Sequence, residues 1–316
     1  MELSLIVLGR VLVMFGLMLV GIGYAKWKKL TPDQTGRISD LLLTIVVPCM
    51  LVDSFQIPYD SEAARDLLFS AGLAVFASIL SILLTHFIFT RKNPGPEGRV
   101  GRFGMAFGNV GFIGVPLISG VFGDEAIIFA AAYMVAFNIF SWTYGVVVLK
   151  GSARALSLRQ AVLNPGVIGA VVAVPLFAFG IMLPDAVGTV VRYIGSMQTP
   201  LAMLVCGFFL SKVDFRKIFT GRILYISFVR LLAIPLATLG VYWLAGAHTW
   251  MPSGEYLLII NLIASACPSA ITTSLMADRF GLDGEYGAKI VAVTTLCSII
   301  TVPLLVYLSQ MAFGVL

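Results

Sequence analysis

Residues 109–116 read NVGFIGVP and residues 261–268 read NLIASACP, so an asparagine precedes a proline by the same spacing twice, 152 residues apart. The offset recurs elsewhere. Pro32, Asp33 and Gly36 in TPDQTGRI are matched by Pro184, Asp185 and Gly188 in LPDAVGTV, and Pro48 by Pro200. Repetition at a fixed period marks a duplicated structural unit. The first stretch lies in GMAFGNVGFIGVPLISGVFG, residues 104–123, dense in glycine and carrying Pro116. In a helix interior glycine costs about 1 kcal/mol and proline about 3 kcal/mol relative to alanine, so an interrupted helix is expected. Inside a bilayer such a break exposes backbone N–H and C=O groups that lipid cannot satisfy, and they must face protein or a watery cavity. Interrupted helices at corresponding places in two halves point to the binding site of a secondary transporter.

Composition sets the surroundings of these breaks. Of 316 residues, 59% are hydrophobic and only 12% charged, with a mean hydropathy of +0.97. A soluble domain carries roughly a quarter charged residues, so the chain reads as an all-α integral membrane protein. The apolar runs are solid, which argues against the alternating pattern of a β-barrel. Cys49, Cys206, Cys267 and Cys297 all fall in apolar runs without metal-ligand spacing and read as reduced thiols. No metal or cofactor is expected. The net charge of +5 does not imply nucleic acid, because the basic residues stand in short loops between apolar runs.

Ten spans are expected, at about 5–25, 38–57, 67–90, 103–122, 126–149, 163–182, 189–211, 220–246, 255–277 and 288–312. Five belong to a first repeat over residues 1–150 and five to a second over 157–316. An odd number of spans per repeat makes the second copy enter from the opposite side, so the repeats are expected to be inverted. Charge placement gives an independent test. Lys26, Lys28, Lys29 and Arg37 follow the first span, Arg91, Lys92, Arg99 and Arg102 the third, and Lys150, Arg154 and Arg159 the fifth. Lys212, Arg216, Lys217 and Arg222 follow the seventh, and Arg279 and Lys289 flank the ninth loop, which puts 17 of 21 basic residues on one face. The positive-inside rule makes that face cytoplasmic and both termini external. A multi-pass protein of the cell membrane is expected.

The candidate site follows from the breaks. Half-helix N-termini meeting near the midplane offer partial positive charge and free N–H donors to an anion. Asn109, Gly111 and Pro116 in the first break, and Asn261, Ser265, Pro268 and Ser269 in the second, are its candidate residues. Asn138, in VAFNIFSWTYG, is a third mid-span amide. Each asparagine suits a carboxylate contact and equally an interhelical hydrogen bond. With no lysine or arginine expected at the crossing, the substrate charge falls to helix dipoles and amides. Asp53 is a mid-span acid, open to coupling or gating, with Arg10 as an expected partner. Arg230, in the eighth span, either snorkels to the interface or helps bind an anion.

GNVGFIGVPL, TPLAMLVCGFFL and AVTTLCSIITVPLLVYL together resemble the auxin efflux carrier family, over essentially the whole chain. The family includes plant auxin exporters and bacterial malate or malonate permease-like proteins. The resemblance implies ten helices in two inverted repeats, with the fourth and ninth broken and crossing, as in sodium–proton antiporters and bile acid symporters. It implies scaffold helices 1, 2, 6 and 7 and core helices 3–5 and 8–10. It implies transport of a small organic anion, auxin-like or malate-like, with a proton or sodium as a conceivable coupling ion and a homodimer as the assembly. The chain lacks the long hydrophilic central loop of many plant members, which favours a bacterial carrier of the inner membrane.

Three other readings compete. A cation or proton antiporter needs paired acids, or an acid and a lysine, at the crossing. An intramembrane hydrolase needs a nucleophile beside His86 or His248, or two adjacent acids. A membrane receptor shares the binding features of a carrier.

Overall fold

The computed structural model describes residues 2–89, 95–152, 159, 162–214 and 218–314. Arg91, Lys92, Arg154, Arg216 and Lys217 lie outside the described residues. Those described form an all-helical membrane protein. In chain order the α-helices are α1 (Glu2–Lys28), α2 (Pro32–Leu41), α3 (Val47–Ser54), α4 (Ser61–Phe89), α5 (Pro96–Ala106), α6 (Val115–Phe122), α7 (Ile127–Phe140) and α8 (Val146–Lys150). Then come α9 (Pro165–Ala178), α10 (Asp185–Ser196), α11 (Gln198–Leu210), α12 (Gly221–Phe228), α13 (Ile234–Leu244), α14 (Gly254–Ser265), α15 (Thr272–Arg279) and α16 (Gly284–Phe313).

Seven continuous helical stretches among the described residues are long and apolar enough to cross a bilayer: Leu3–Lys28, Asp33–Ser54, Ser61–Ile88, Asp124–Lys150, Asp185–Leu210, Gly221–Leu244 and Gly284–Phe313. The three remaining expected spans are shorter or interrupted. Helix α9 has 14 residues and reaches about 21 Å at 1.5 Å per residue, short of a hydrocarbon core of about 30 Å. The other two expected spans, residues 103–122 and 255–277, are each divided into two helices.

Local chemistry fixes where helices begin. Thr31, Asn164, Thr220 and Asp283 stand before α2, α9, α12 and α16 and accept hydrogen bonds from the first-turn N–H groups of Gln34, Gly166, Ile223 and Tyr286. Each satisfies one of the donors that a helix N-terminus leaves free.

Three prolines inside apolar runs follow π-helical turns that continue the helix, while Pro175 and Pro303 lie within α-helices and the π-helical segment Ser141–Gly145 precedes no proline. The π-helical segments Leu42–Val46, Val110–Gly114 and Val229–Ala233 stand just before Pro48, Pro116 and Pro235. A proline lacks an N–H and its ring clashes with the carbonyl four residues back; moving to i→i+5 bonding accommodates both. Pro116 is therefore a helix residue, contrary to the expectation that the first break falls there.

Helix α1 packs along α11, α4 along α7, and α3 against both α9 and α10. The α1–α11 crossing is close because Gly21 faces Gly207. A Cβ on Gly21 would stand 2.5 Å from the Leu204 carbonyl oxygen, the close backbone approach that small residues allow in membranes.

Basic loops converge on one end of the molecule. Lys212 reaches the Thr35 hydroxyl at 3.1 Å, Arg222 pairs with Glu97 at 2.5 Å, and Arg99 approaches the Lys150 carbonyl at 3.4 Å. Lys150 also lies over the Phe280 ring and Arg279 over Trp142. At the opposite end Gln56 accepts from the Leu183 N–H at 2.6 Å, and His248 stacks on Phe313.

Candidate functional site

The two breaks meet. One is Phe107–Asn109, following α5, and the other Ala266–Ile271, between α14 and α15. Asn109 donates its N–H to the Pro268 carbonyl at 2.7 Å, and Ala270 donates to the Phe107 carbonyl at 3.0 Å. Gly108 and Ser269 thus form an isolated antiparallel bridge. The Ser269 hydroxyl donates to the Gly104 carbonyl at 2.8 Å, and the Ser269 N–H donates to the Thr294 hydroxyl at 3.1 Å. Each broken helix supplies partners for the other, which answers the cost of unsatisfied backbone in lipid.

Arg230 is the centre of this junction. It is 1% exposed, and its guanidinium donates to Ser265 O at 2.7 Å and Cys267 O at 2.9 Å. Two longer bonds reach Met105 O at 3.3 Å and Ala106 O at 3.4 Å. The side chain gathers the carbonyl ends of α5 and α14, the negative poles of both helices. Two expectations are corrected here. A cation does stand where the two breaks meet, and Arg230 does not snorkel, because four carbonyls hold it inside.

The asparagines are not equivalent. Asn109 is 4% exposed; its side chain lies beside the Cys206 thiol, a weak acceptor, and its nitrogen has no oxygen or nitrogen acceptor. Asn261, inside α14, accepts from the Tyr242 hydroxyl at 2.7 Å, while its amide nitrogen is unpartnered. Asn138 donates to the Met134 carbonyl one turn back at 3.0 Å. Across the junction Asn109 therefore meets Pro268, and Asn261 lies away from the backbone bridge. The helices that precede the breaks end at Ala106 and Ser265, 159 residues apart, so the 152-residue register of the two Asn–Pro spacings does not carry through to the breaks.

Two cavities lie elsewhere in the bundle, one between α3, α4, α7 and α9 and one against α6. The larger, about 530 Å³, is lined by apolar side chains such as Leu67, Ala71, Ala132 and Val171, and has nothing to solvate a charge. The smaller, about 350 Å³, lies between α3, α10 and the start of α11 on one side and α6 with the start of α7 on the other. Its polar lining includes Asp53, Ser119, Asp124, Glu125, Arg192, Gln198 and Thr199. Gln198 closes its inner end, donating to the Gly111 carbonyl at 2.6 Å. Asp53 faces Arg192 at 3.6 Å, with side chains 31% and 70% exposed, whereas the Arg10 side chain lies alongside Gly120. The expected Arg10–Asp53 pair is thus replaced by Arg192–Asp53. Arg192, Gln198 and Thr199 did not stand out in the sequence; the signal was SMQTP beside the repeated Pro200.

The hydrolase reading finds no support in geometry. Arg102 joins His86 at the basic end, His248 lies against Phe313, and the Ser196 hydroxyl donates to its own helix at Tyr193 O.

A buried, backbone-paired junction of two broken helices in an apolar bundle is the kind of arrangement on which secondary transporters build their sites. Comparison of the sequence with known proteins gives the family. The profile described as membrane transport protein matches residues 6–159 and again 152–306, as an internal repeat would produce. The chain belongs to this family of transporters, that of the auxin efflux carriers, and is not an enzyme. It is similar to the "Uncharacterized transporter YfdV" of Escherichia coli K12, 23% identical with 96% of this chain and 98% of that protein covered. It is also similar to the "Putative malonate transporter" of Rhizobium meliloti, 26% identical with 95% of each covered. A Methanothermobacter thermautotrophicus "Uncharacterized transporter" is 22% identical over 93% of this chain and 94% of that one.

Proposed function

We propose that the chain carries a small organic anion across the cell membrane by alternating access, as a facilitative or secondary active transporter. The reading takes the polypeptide across the bilayer ten times, in two inverted five-helix halves whose fourth and ninth crossings are the broken helices. The basic end is then cytoplasmic and both termini external. The cleft between α3, α10 and α11 on one side and α6 and α7 on the other is the external approach, and the site lies at its inner end, between Gln198 and the junction.

The observation that carries the anion reading is Arg230. Its hydrogen-bond partners are four backbone carbonyls, and among the described residues no aspartate or glutamate pairs with it. A buried charge needs a partner, and at this junction the protein supplies dipoles only. A cation antiporter would need carboxylates where Arg230 stands, and Asp53 instead sits in the cleft beside Arg192. The name of the Rhizobium meliloti relative makes malonate a reasonable first substrate.

The test is uptake of radiolabelled malonate and other small carboxylates into proteoliposomes. Saturable uptake of a carboxylate is expected. Binding without flux would indicate a receptor, and flux of cations alone would return the antiporter reading.

A further inference from the structure

The charge at the junction can be counted. Each helix end carries roughly half an elementary charge, positive at the N-terminus and negative at the C-terminus. Two broken helices bring two C-terminal ends to the junction, those of α5 and α14. They also bring two N-terminal ends, those of the helical stretch beginning at Val110 and of α15, which begins at Thr272. By themselves these four poles sum to about zero. Arg230 bonds to the C-terminal carbonyls Met105, Ala106 and Ser265, and to Cys267 just beyond. Its unit charge offsets the two negative ends, while the two positive ends are met only by neutral carbonyls, Pro268 O from Asn109 N–H and Phe107 O from Ala270 N–H.

Unused donors stand at those positive ends. The Asn109 amide nitrogen, immediately before Val110, and the Thr273 hydroxyl, in the first turn of α15, are buried and without an oxygen or nitrogen acceptor. Asn109 is 4% exposed and Thr273 0%. A buried donor without such an acceptor is uncommon, and two beside helix N-termini met only by neutral carbonyls are what an anion site requires.

We propose that Arg230 sets the charge accepted at this junction to one, so that the transported species is a monoanion presenting a single carboxylate. Arg230 acts as a positioning and charge-setting residue, through the helix ends it holds, and not as a clamp on the substrate. Four of its five N–H groups are matched by the four carbonyls. A second carboxylate entering the site would lose water without gaining a counter-charge. The proposal rests on the organic-anion reading above.

Calorimetry on the purified wild-type protein separates the two. Malonate and its monomethyl ester are titrated across a pH range spanning the second ionisation of malonic acid. The ester, a fixed monoanion, should bind with constant affinity. Malonate should match it at low pH and weaken by roughly tenfold or more as the dianion forms, about the factor that 1.4 kcal/mol gives. Malonate dianion binding as tightly as the ester overturns the charge count while leaving the anion reading intact. Failure of every carboxylate in a wider panel to bind overturns both.

Arg230→Lys, which keeps the charge with fewer donors, should retain the preference at reduced affinity. Arg230→Gln, where it folds, should lose binding of the ester by at least about tenfold. A folded Arg230→Gln protein with unchanged affinity and unchanged charge preference would also overturn the assignment.

Discussion

Gly108 lies directly against the Arg230 guanidinium: a Cβ added to Gly108 would stand 2.9 Å from Arg230 Cζ. The glycine leaves the space in which the arginine crosses from one broken helix to the other. That contact makes the two residues one structural unit.

Gly108→Ala should therefore displace Arg230 from carbonyls of both breaks. Overpacking a filled interior costs about 1–3 kcal/mol, and lost bonds to a buried cation add to this. Gly111 is the internal control, since its Cβ would meet Met134 Sδ at an ordinary 3.5 Å. Thermal unfolding in detergent should show a lowered midpoint for Gly108→Ala and a small change for Gly111→Ala. Equal midpoints would mean that the junction has more slack than the contact implies.

Asp53 and Arg192 form a pair of modest weight. At 3.6 Å, with Arg192 70% exposed, the interaction is worth under about 1 kcal/mol. Asp53→Asn should leave folding and substrate binding in place and alter the transport rate at most several-fold. Proteoliposome uptake under imposed proton and sodium gradients checks this. A folded variant that lost all gradient dependence would make Asp53 a coupling carboxylate.

Much of the fold was legible because its causes are local or compositional. Long apolar runs give membrane helices whatever their neighbours, and seven of them appear as expected. The glycine-rich stretch around Asn109 announced a break because backbone propensity acts within a few residues. What was not legible depended on register and on distant partners. Proline was taken to mark the break, yet a π-helical turn absorbs Pro116. From its place in the eighth span Arg230 is open to snorkelling or to anion binding. Its actual position is set by four carbonyls belonging to residues 105–106 and 265–267, which no pattern in its own span displays. Asp53 pairs with Arg192, eight residues before the repeated Pro200, and not with Arg10, because pairing between helices depends on tertiary register that neither span displays.

Gln198 joins the cleft wall to the first broken helix, donating from 3% exposure to the Gly111 carbonyl. If core and scaffold move against one another, this bond must break in each cycle. Gln198→Ala leaves a carbonyl short of a donor, a loss of about 1–3 kcal/mol in the state that has the bond. Cysteine labelling in the cleft and uptake kinetics should both shift, with the rate of exchange altered more than substrate affinity. Unaltered labelling and kinetics would make the bond incidental to transport.

Topology can be checked with single cysteines. Positions near 60 and 124 should react with an impermeant reagent from outside intact cells, and positions near 29 and 212 only after permeabilisation. The reverse pattern would invert the protein and place the Asp53–Arg192 cleft on the cytoplasmic side.

Asn109 and Asn261 divide binding from scaffolding. Asn261 holds the Tyr242 hydroxyl at 2.7 Å, joining α14 to α13, so Asn261→Ala leaves that buried hydroxyl only the longer 3.5 Å contact with the Leu73 carbonyl and should cost about 1–3 kcal/mol of stability. The Asn109 amide nitrogen, at the backbone bridge, has no oxygen or nitrogen acceptor and only the Cys206 thiol beside it, so Asn109→Ala removes at most one weak contact to sulfur in the empty protein. It should leave the unfolding midpoint nearly unchanged. In the bound state the missing donor leaves a desolvated carboxylate short of a partner, again about 1–3 kcal/mol, or roughly 5- to 150-fold in Kd. Asn138 satisfies its amide within its own helix, so Asn138→Ala should change affinity least of the three. Unfolding midpoints and carboxylate calorimetry on all three variants test the division. A stable Asn109→Ala protein with unchanged affinity would move the substrate away from the junction and toward the Ser119, Gln198 and Thr199 side chains of the cleft.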